Sequence, residues 1–206
     1  MDIIKDYQVE SFSNLIADRF INDPRIVYTL DGIENKKEFL KKFGESQILA
    51  FSKDGYIRGV GEGEGIIIGY NKKEIGWFKL FKSMIKGQSI LFKSISKDEK
   101  QRVINNGKKL KKFTDMSWYK KAVNTKGYFH ILTIAVREDL KGQGIFRKLI
   151  TPIIEECNKN NLCIVLETNS SDTLPIYEHF GFKIYETIKS DKIDLLQYSM
   201  IKYPSL

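Results

Sequence analysis

The chain has little cysteine and no long hydrophobic run. Its 206 residues include two cysteines, Cys157 and Cys163, too few for a disulfide scaffold and typical of a reducing cytoplasm. We interpret both as small core hydrophobes. No run approaches the roughly 18 consecutive apolar residues that cross a bilayer, and charges interrupt the N-terminus, Met1–Asp6, where a signal peptide would be apolar. We therefore expect a cytoplasmic location, no membrane span and no metal site.

Motifs of dedicated nucleic-acid binding are also missing, although the chain is basic. The net charge is +8, from 34 Lys and Arg against 26 Asp and Glu, and the excess lysine is concentrated between Lys72 and Lys121. A basic face attracts nucleic acid or a phosphorylated cofactor, and a solvated lysine-rich surface is the simplest interpretation. No helix-turn-helix, zinc-finger spacing or RNP-type aromatic motif accompanies the charge. We expect no dedicated nucleic-acid site.

Hydrophobic periodicity in the first half predicts helices and one pair of strands. Phe12, Leu15, Ile16 and Phe20 recur at helical spacing, and Asn22-Asp23-Pro24 ends that helix. The predicted elements are a helix over Val9–Phe20, a helix over Lys36–Phe43, strands over Tyr56–Gly61 and Gly65–Tyr70, and two or three helices between Trp77 and Lys121. No linker or repeat interrupts them. We expect a single domain over 1–206, with halves 1–127 and 128–206.

The second half alternates strands and helices. Its predicted elements are a strand over Tyr128–Val136, a loop over Arg137–Gly144, a helix over Ile145–Asn158, a strand over Cys163–Thr168, a short helix ending at Gly181, and a hairpin of Phe182–Ile188 and Leu195–Lys202 with its turn near Ser190-Asp191-Lys192. This order predicts an α/β fold with a mixed sheet.

The segment Lys141–Ile145 predicts an anion site at a strand-to-helix junction. The first amides of a helix have no intrahelical partner and lie at the positive end of its dipole. Glycines at 142 and 144 let a phosphate approach those amides, and Lys141 and Arg147 add positive charge. The pattern is neither the Rossmann G-x-G-x-x-G nor the Walker A loop, which excludes typical dinucleotide oxidoreductases and P-loop NTPases.

The segment Ile134–Leu149 resembles the acetyl-CoA-binding motif of the GNAT superfamily of N-acetyltransferases. That motif reads [RQ]-x-x-G-x-[GA] after a strand that ends in a hydrophobic residue, Ala and Val. Lys141 takes the Arg/Gln position and Gly144 is the first motif glycine. Phe146 departs from the pattern, since it replaces the final Gly or Ala.

A second segment, Leu174–Phe182, resembles the N-x-P-x-Y-x-x-x-G-F motif of the same superfamily. Thr173 stands where the motif has Asn, and Asn169 is the candidate to replace that cofactor contact. The two motifs cover about residues 128–202. The first half is similar to the puromycin-acetyltransferase-like branch in its early helix, its Asp23-Pro24 and its glycine-rich strand pair.

The resemblance implies a GNAT-type α/β fold, with a mixed, mostly antiparallel sheet whose central strands splay apart between flanking helices. Residues 128–206 would form the acetyl-CoA-binding half, and 1–127 the acceptor half with inserted helices. The pantetheine arm would bind the backbone of Ile134, Ala135 and Val136. The pyrophosphate would bind the amides of the loop and first helical turn: Gly142, Gln143, Gly144, Ile145 and Phe146.

The resemblance also implies direct transfer of acetyl from acetyl-CoA to an amine, without a covalent enzyme intermediate. Tyr177 would be the acid that protonates the leaving thiolate. Glu167 is the candidate base, with Glu62, Glu64 and His130 as alternatives. The acceptor would be a small-molecule or protein amine, and the protein a monomer or homodimer. A non-catalytic acyl-CoA-binding regulatory domain and a basic nucleic-acid-binding protein are the alternative functions.

Overall fold

A mixed sheet forms the centre of the protein. The structure, a computed structural model, describes residues 4–5, 8–112, 114–115, 117–123, 125, 127–190 and 193–205. Within these residues the strands are β1 (Tyr56–Val60), β2 (Gly65–Asn71), β3 (Tyr128–Val136), β4 (Cys163–Thr168), β5 (Lys183–Lys189) and β6 (Leu196–Lys202). They lie in the order β1-β2-β3-β4-β6-β5. β3 and β4 are parallel, and every other neighbouring pair is antiparallel. The predicted α/β fold with a mostly antiparallel mixed sheet is confirmed.

Helices cover both faces of this sheet. In the described ranges they are α1 (Val9–Phe20), α2 (Pro24–Thr29), α3 (Lys36–Phe51), α4 (Trp77–Leu91), α5 (Lys97–Leu110), α6 (Tyr119–Ala122), α7 (Ile145–Lys159) and α8 (Leu174–His179). α7 and α8 pack on one face through Leu149, Ile150 and Tyr177. α1 and α3 pack on the other, where Phe12 and Ile16 are fully buried.

Strand β2 is covered on both faces, which explains its continuous apolar run. Ile67 belongs to the core under α7, whereas Ile66 and Ile68 belong to the core under α1 and α3. All three side chains are 0% exposed. Complete burial of one such side chain stabilises the fold by about 1.5–3 kcal/mol, so this run anchors the sheet between its two helical layers.

Two predictions in the N-terminal half are wrong. The second helix was expected to end at Phe43, but α3 continues to Phe51. Gly44 lies inside it, where an added Cβ would come within 3.0 Å of the Ser13 Cα; this glycine permits close packing of α1 on α3. The short helix α2 was not predicted. Asp23 caps it by accepting hydrogen bonds from the amides of Arg25 and Ile26, with Pro24 at its first position.

The remaining boundaries follow the predictions closely. In the second half, α7 and each strand begin and end within one residue of their predicted limits, whereas the short helix α8 ends at His179, two residues before the predicted Gly181. The lysine-rich middle forms α4, α5 and α6, within the predicted two or three helices. The predicted turn near Ser190 includes residues 191 and 192, which lie outside the described residues.

The central strands splay apart, as predicted. β3 pairs with β4 only from Tyr128↔Cys163 to His130↔Val165. Beyond that point β3 continues to Val136 and β4 to Thr168 without pairing with each other. A register shift between β2 and β3 lies beside this opening. Backbone groups on the β4 side of β3 are therefore available to a ligand that enters the gap.

Candidate active site

The loop between β3 and α7 forms an open cradle of amides. Gly142 and Gly144 have φ angles of 83° and 79°, a conformation that favours glycine. A Cβ at either position would meet nothing within 4 Å. Gly144 gives no side-chain cap to α7, and the first helical hydrogen bond runs from the Lys148 amide to the Gly144 carbonyl. In the described part of the chain, the amides of Ile145 and Phe146 therefore have no partner, which fits a pyrophosphate.

The polar side chains of this loop and of the first turn of α7 contact neighbouring residues. Lys141 is exposed, and its ammonium lies 3.9 Å from a Glu138 carboxylate oxygen, so the contact is weak. Arg147 turns towards α8: its Nη2 lies 3.2 Å from His179 Nε2, and its guanidinium lies over the Phe180 ring. Gln143 donates a hydrogen bond to the Asp139 carbonyl at 3.3 Å. That Lys141 and Arg147 add charge to a phosphate site stays a prediction.

Phe146, which departs from the family motif, packs beneath the cradle. Its ring centroid lies 5.7 Å from that of Tyr177 and 5.4 Å from that of Phe180. The side chain is half-buried against the core under α7. The larger residue thus fixes α7 to α8 instead of filling the loop, and the cradle stays open above it.

Tyr177 lies at the inner surface of α8. Its ring packs edge to face on Phe146 and Phe182, each at 5.7 Å. Burial raises the pKa of Tyr177 above its usual value, so the phenol keeps its proton at neutral pH. Among the described residues its hydroxyl has no hydrogen-bond partner. Tyr177 as a whole is 7% exposed.

The polar residues between β4 and α8 are tied to neighbouring backbone. Asn169 Nδ2 donates to the Leu196 carbonyl at 2.6 Å, which joins the end of β4 to β6. Thr173 Oγ1 lies 2.9 Å from Thr168 Oγ1 and 2.8 Å from the Ser170 carbonyl. The Asn169 side-chain nitrogen is thereby engaged, and the contact of Asn169 with a cofactor stays a prediction.

A buried polar cluster lies on the opposite face of β4. Glu167 Oε2 is 2.8 Å from His130 Nε2, and Glu167 Oε1 accepts a hydrogen bond from Trp118 Nε1 at 2.6 Å. The Tyr70 hydroxyl lies 3.1 Å from His130 Nδ1. The side chains of His130 and Glu167 are only 5% and 9% exposed. Two residues that the sequence offered as separate candidates therefore form one pair.

Opposing effects act on the Glu167 carboxylate. Burial by itself raises its pKa, but the charge and hydrogen bond of His130, the hydrogen bond of Trp118 and the charge of Arg25 together outweigh burial. The net effect holds the pKa of Glu167 below its usual range. The carboxylate is therefore ionised at neutral pH, and each of its oxygens keeps a further lone pair for a ligand.

Glu62 and Glu64 lie far from this cluster. Both belong to the turn between β1 and β2, and Gly65 beyond it pairs with Val136 at the far end of β3. Six residues separate Val136 from His130, which corresponds to about 20 Å along a strand. The structure thus brings His130 and Glu167 together and separates Glu62 and Glu64 from them.

Comparison with known families agrees with this geometry. A family model described as an acetyltransferase (GNAT) domain matches residues 70–202, more than half of the chain. The chain belongs to the GNAT acetyltransferase family. The match does not identify a branch within the family, so the assignment to the puromycin-acetyltransferase-like branch stays a prediction.

Similarity to other acetyltransferases covers most of the chain. An uncharacterized N-acetyltransferase of Schizosaccharomyces pombe is 29% identical over 211 residues, covering 93% of this chain and 78% of that protein. A Corynebacterium glutamicum structure described as histone acetyltransferase HPA2 and related acetyltransferase has a TM-score of 0.64 at 18% identity and covers 100% of this chain and 96% of its own. Arylalkylamine N-acetyltransferase 2 from Aedes aegypti has a TM-score of 0.58 at 14% identity, with coverage of 99% and 98%. At such identities the structural likeness shows the fold.

The GNAT fold places the two candidate catalytic residues on different sides of β4. Leu166 and Tyr177 belong to the core under α7. Val165 packs with Trp118 on the other face, where Trp118 also binds Glu167. A thioester held in the gap beyond His130 and Val165 would thus have a phenol on one side and a carboxylate on the other.

Three residues of the polar cluster were not predicted from sequence. Tyr70, Trp118 and Arg25 come from β2, from the residue before α6 and from α2. The pairing of Tyr70 with His130 follows from the β2–β3 register, which no local pattern encodes. Trp118 is fully buried although it lies in the lysine-rich segment.

Within the described residues, no helix has both the length and the apolar character to cross a membrane.

Both cysteines of the chain are buried and are not joined by a disulfide. Burial raises the pKa of the Cys157 thiol to about 12, which agrees with its predicted role as a core residue.

The Glu167 network makes stability depend on pH. Since the pKa of Glu167 is lower in the folded protein, its contribution is complete above the unfolded-state value of about 4.3 and is lost as the pH falls through the folded-state value. We expect Glu167→Gln to lower the free energy of unfolding at pH 7 by about 1–3 kcal/mol. Urea titrations of the wild type and of Glu167→Gln from pH 7 to pH 3 should show that their difference in free energy of unfolding becomes smaller as the pH falls. The exposed turn variant Glu62→Gln should show no such narrowing, and a constant difference for Glu167→Gln would contradict the expectation.

Proposed function

We propose that the protein transfers the acetyl group of acetyl-CoA to an amine acceptor, a small-molecule or protein amine, by direct attack. The observation that carries the proposal is the gap between β3 and β4, with the amide cradle of α7 at one end and the Glu167–His130 pair beside its origin. Both cysteines are buried without a disulfide between them, which supports a reducing, cytoplasmic setting for the reaction.

The cofactor half of this proposal rests on the chain's own backbone. Ile134, Ala135 and Val136 line the open edge of β3 and would hydrogen-bond the pantetheine arm. The amides from Gly142 to Phe146 would hold the pyrophosphate, with Lys141 and Arg147 at its edge. Acetyl-CoA supplies an activated acetyl thioester when bound there.

Glu167 acts on the acceptor amine in this proposal. An alkyl amine has a pKa of about 10 and arrives as an ammonium. The ionised carboxylate accepts a hydrogen bond from it and takes its proton, and the nitrogen lone pair that this leaves then attacks the thioester carbonyl. His130 and Trp118 hold the carboxylate in place through the two hydrogen bonds described above.

Tyr177 protonates the leaving sulfur in this proposal. We expect Tyr177→Phe to lower kcat by about a hundredfold, because it removes only the hydroxyl and keeps the ring that packs on Phe146 and Phe182. Initial rates with saturating acceptor test this, and the KM for acetyl-CoA should barely change. Phe180→Leu, which alters the same aromatic group without removing a hydroxyl, serves as the control. If Tyr177→Phe turns over at the wild-type rate, solvent or another residue is the acid that protonates the sulfur.

A panel of amines with acetyl-CoA and a free-thiol readout tests the proposed function. We expect thiol release to depend on an amine and to be matched by acetylated product in mass spectrometry. If acetyl-CoA binds and no amine is acetylated, the chain is an acyl-CoA-binding regulatory domain instead. A tight, sequence-dependent gel shift with DNA or RNA at physiological salt would favour nucleic-acid binding.

A further inference from the structure

An aromatic cleft of about 410 Å³ lies at the N-terminal end of β3. Its walls include the rings of Tyr70, Tyr119 and Tyr128, together with Leu80 of α4. The ring centroids of Tyr119 and Tyr128 lie 4.8 Å apart, and those of Tyr70 and Tyr128 lie 6.4 Å apart. A volume of this size falls within the usual range of small-molecule sites.

The cleft adjoins the polar cluster of the candidate active site. Tyr70, which lines the cleft, has its hydroxyl 3.1 Å from His130 Nδ1, and the Tyr119 ring lies 5.7 Å from the His130 ring. Tyr128 and His130 are two residues apart on β3 and so share one face of the sheet. The phosphate cradle follows the other end of β3, so the cleft and the cradle lie at opposite ends of this strand.

Positive charge lines the cleft without a matching carboxylate. Lys72 and Lys120 are among its lining residues, and none of those residues is acidic. Among the described residues, the Lys72 ammonium contacts the Ile75 carbonyl at 3.4 Å, and Lys120 forms no ion pair, although its charge lowers the pKa of Asp115. By contrast, the neighbouring Lys121 lies 4.0 Å from an Asp115 carboxylate oxygen and does not line the cleft.

The tyrosine hydroxyls of the cleft hydrogen-bond one another: Tyr128 pairs with both Tyr70 and Tyr119. Burial raises the pKa of Tyr70 to about 12, and burial also raises the pKa of Tyr128. Both phenols therefore keep their protons at neutral pH. Because the Tyr70 hydroxyl also contacts His130 Nδ1, the charged groups among the lining residues are the ammonium groups of Lys72 and Lys120.

We propose that this cleft binds the acceptor and selects amines that carry a carboxylate, which Lys72 and Lys120 bind while the amine reaches Glu167. This proposal rests on the proposed function of the same site. The Lys72 amide bonds the Tyr128 carbonyl, so Lys72 is level with Tyr128. His130, which contacts Glu167, is two residues further along β3, or about 7 Å. With this backbone spacing as the guide, we expect the amine and the carboxylate of the acceptor to be about 7 Å apart, as in ω-amino acids and short peptides and unlike a simple α-amino acid.

The test compares 6-aminohexanoate with 6-aminohexanamide, which differ in charge at the end remote from the amine. Calorimetry on the CoA-saturated protein measures binding, and thiol release measures kcat/KM. We expect about a tenfold preference for the carboxylate in both measurements, the effect of one or two partly exposed charge contacts. The preference should weaken as salt is raised.

Variants assign this preference to the two lysines. In the double variant Lys72→Gln/Lys120→Gln we expect the carboxylate and the amide to bind about equally. The matched control is Lys121→Gln, which removes a charge from α6, the helix that carries Lys120, at a position outside the cleft. This variant should keep the full preference for the carboxylate. Thermal unfolding of each variant checks that the fold is retained.

The possible outcomes separate this proposal from the proposed function. No preference for the carboxylate in the wild type, or absence of binding by both probes, would overturn the cleft assignment even if other amines are acetylated. Weakened CoA binding in the double variant would also overturn it, since the lysines would then belong to the cofactor site. A carboxylate preference in binding without acetylation of any amine would support the cleft and contradict the proposed transferase function.

Discussion

Glu167→Gln should lower kcat/KM by about a thousandfold, within the range attributed to a positioned general base. The substitution preserves the shape of the side chain and its capacity to accept the Trp118 hydrogen bond. It removes the negative charge that would bind the acceptor ammonium and take its proton. Because the carboxylate lies across β4 from the core under α7, the affinity for acetyl-CoA should stay within about threefold of the wild-type value.

Two controls make the interpretation of Glu167→Gln specific. Glu62→Gln changes a glutamate that was also considered as base but lies at the β1–β2 turn, and it should retain full activity. Raising the pH should partly rescue Glu167→Gln, because a larger fraction of the amine is then neutral without assistance. Near-wild-type activity at pH 7 would show that Glu167 is only a structural partner of His130 and Trp118.

Gly144→Asp should weaken acetyl-CoA binding by about a thousandfold or more, since placing like charges together costs several kcal/mol. A Cβ at Gly144 points into open space, so the protein has room for the new carboxylate. That carboxylate would occupy the cradle in front of the unpartnered amides of Ile145 and Phe146. Calorimetric titration with acetyl-CoA measures the loss.

Gly144→Asn is the matched control for charge. Gly144 has a φ of 79°, and Asn and Asp both tolerate this region better than other residues. The two variants therefore carry a similar backbone strain and a side chain of similar size. We expect Gly144→Asn to lose much less affinity than Gly144→Asp, at equal melting temperature. Equal affinity in the two variants would argue against phosphate binding at this loop.

The second half of the fold was predictable because its signals are local. Tyr128–Val136 and Cys163–Thr168 are runs of strand length, rich in apolar and β-branched residues, and both strands have the predicted limits. The glycines at 142 and 144 adopt the positive φ angles that an open loop requires. Each of these features depends on residues adjacent in sequence, where propensity and periodicity act directly.

The candidate site was less predictable because its contacts join distant residues. Trp118 and Glu167 are 49 positions apart, and Tyr70 and His130 are 60 apart. Periodicity does not specify which buried polar groups meet across a sheet. The same limit explains the error at Gly44, which by local propensity favours a helix end but serves the packing of α1 on α3.

The short ladder between β3 and β4 divides the sheet into two units, one formed by β1, β2 and β3 and the other by β4, β6 and β5. Three residue pairs join them, whereas the β1–β2 and β4–β6 ladders each contain five. Breathing motions should therefore concentrate along this line, with amide hydrogens near the gap exchanging with deuterium sooner than those of β2 or β6. A ligand that fills the gap and hydrogen-bonds to β3 would restrain the relative motion of the two parts of the sheet for as long as it is bound. Ligand-induced protection from exchange should accordingly extend to both sides of the sheet, beyond the residues in direct contact.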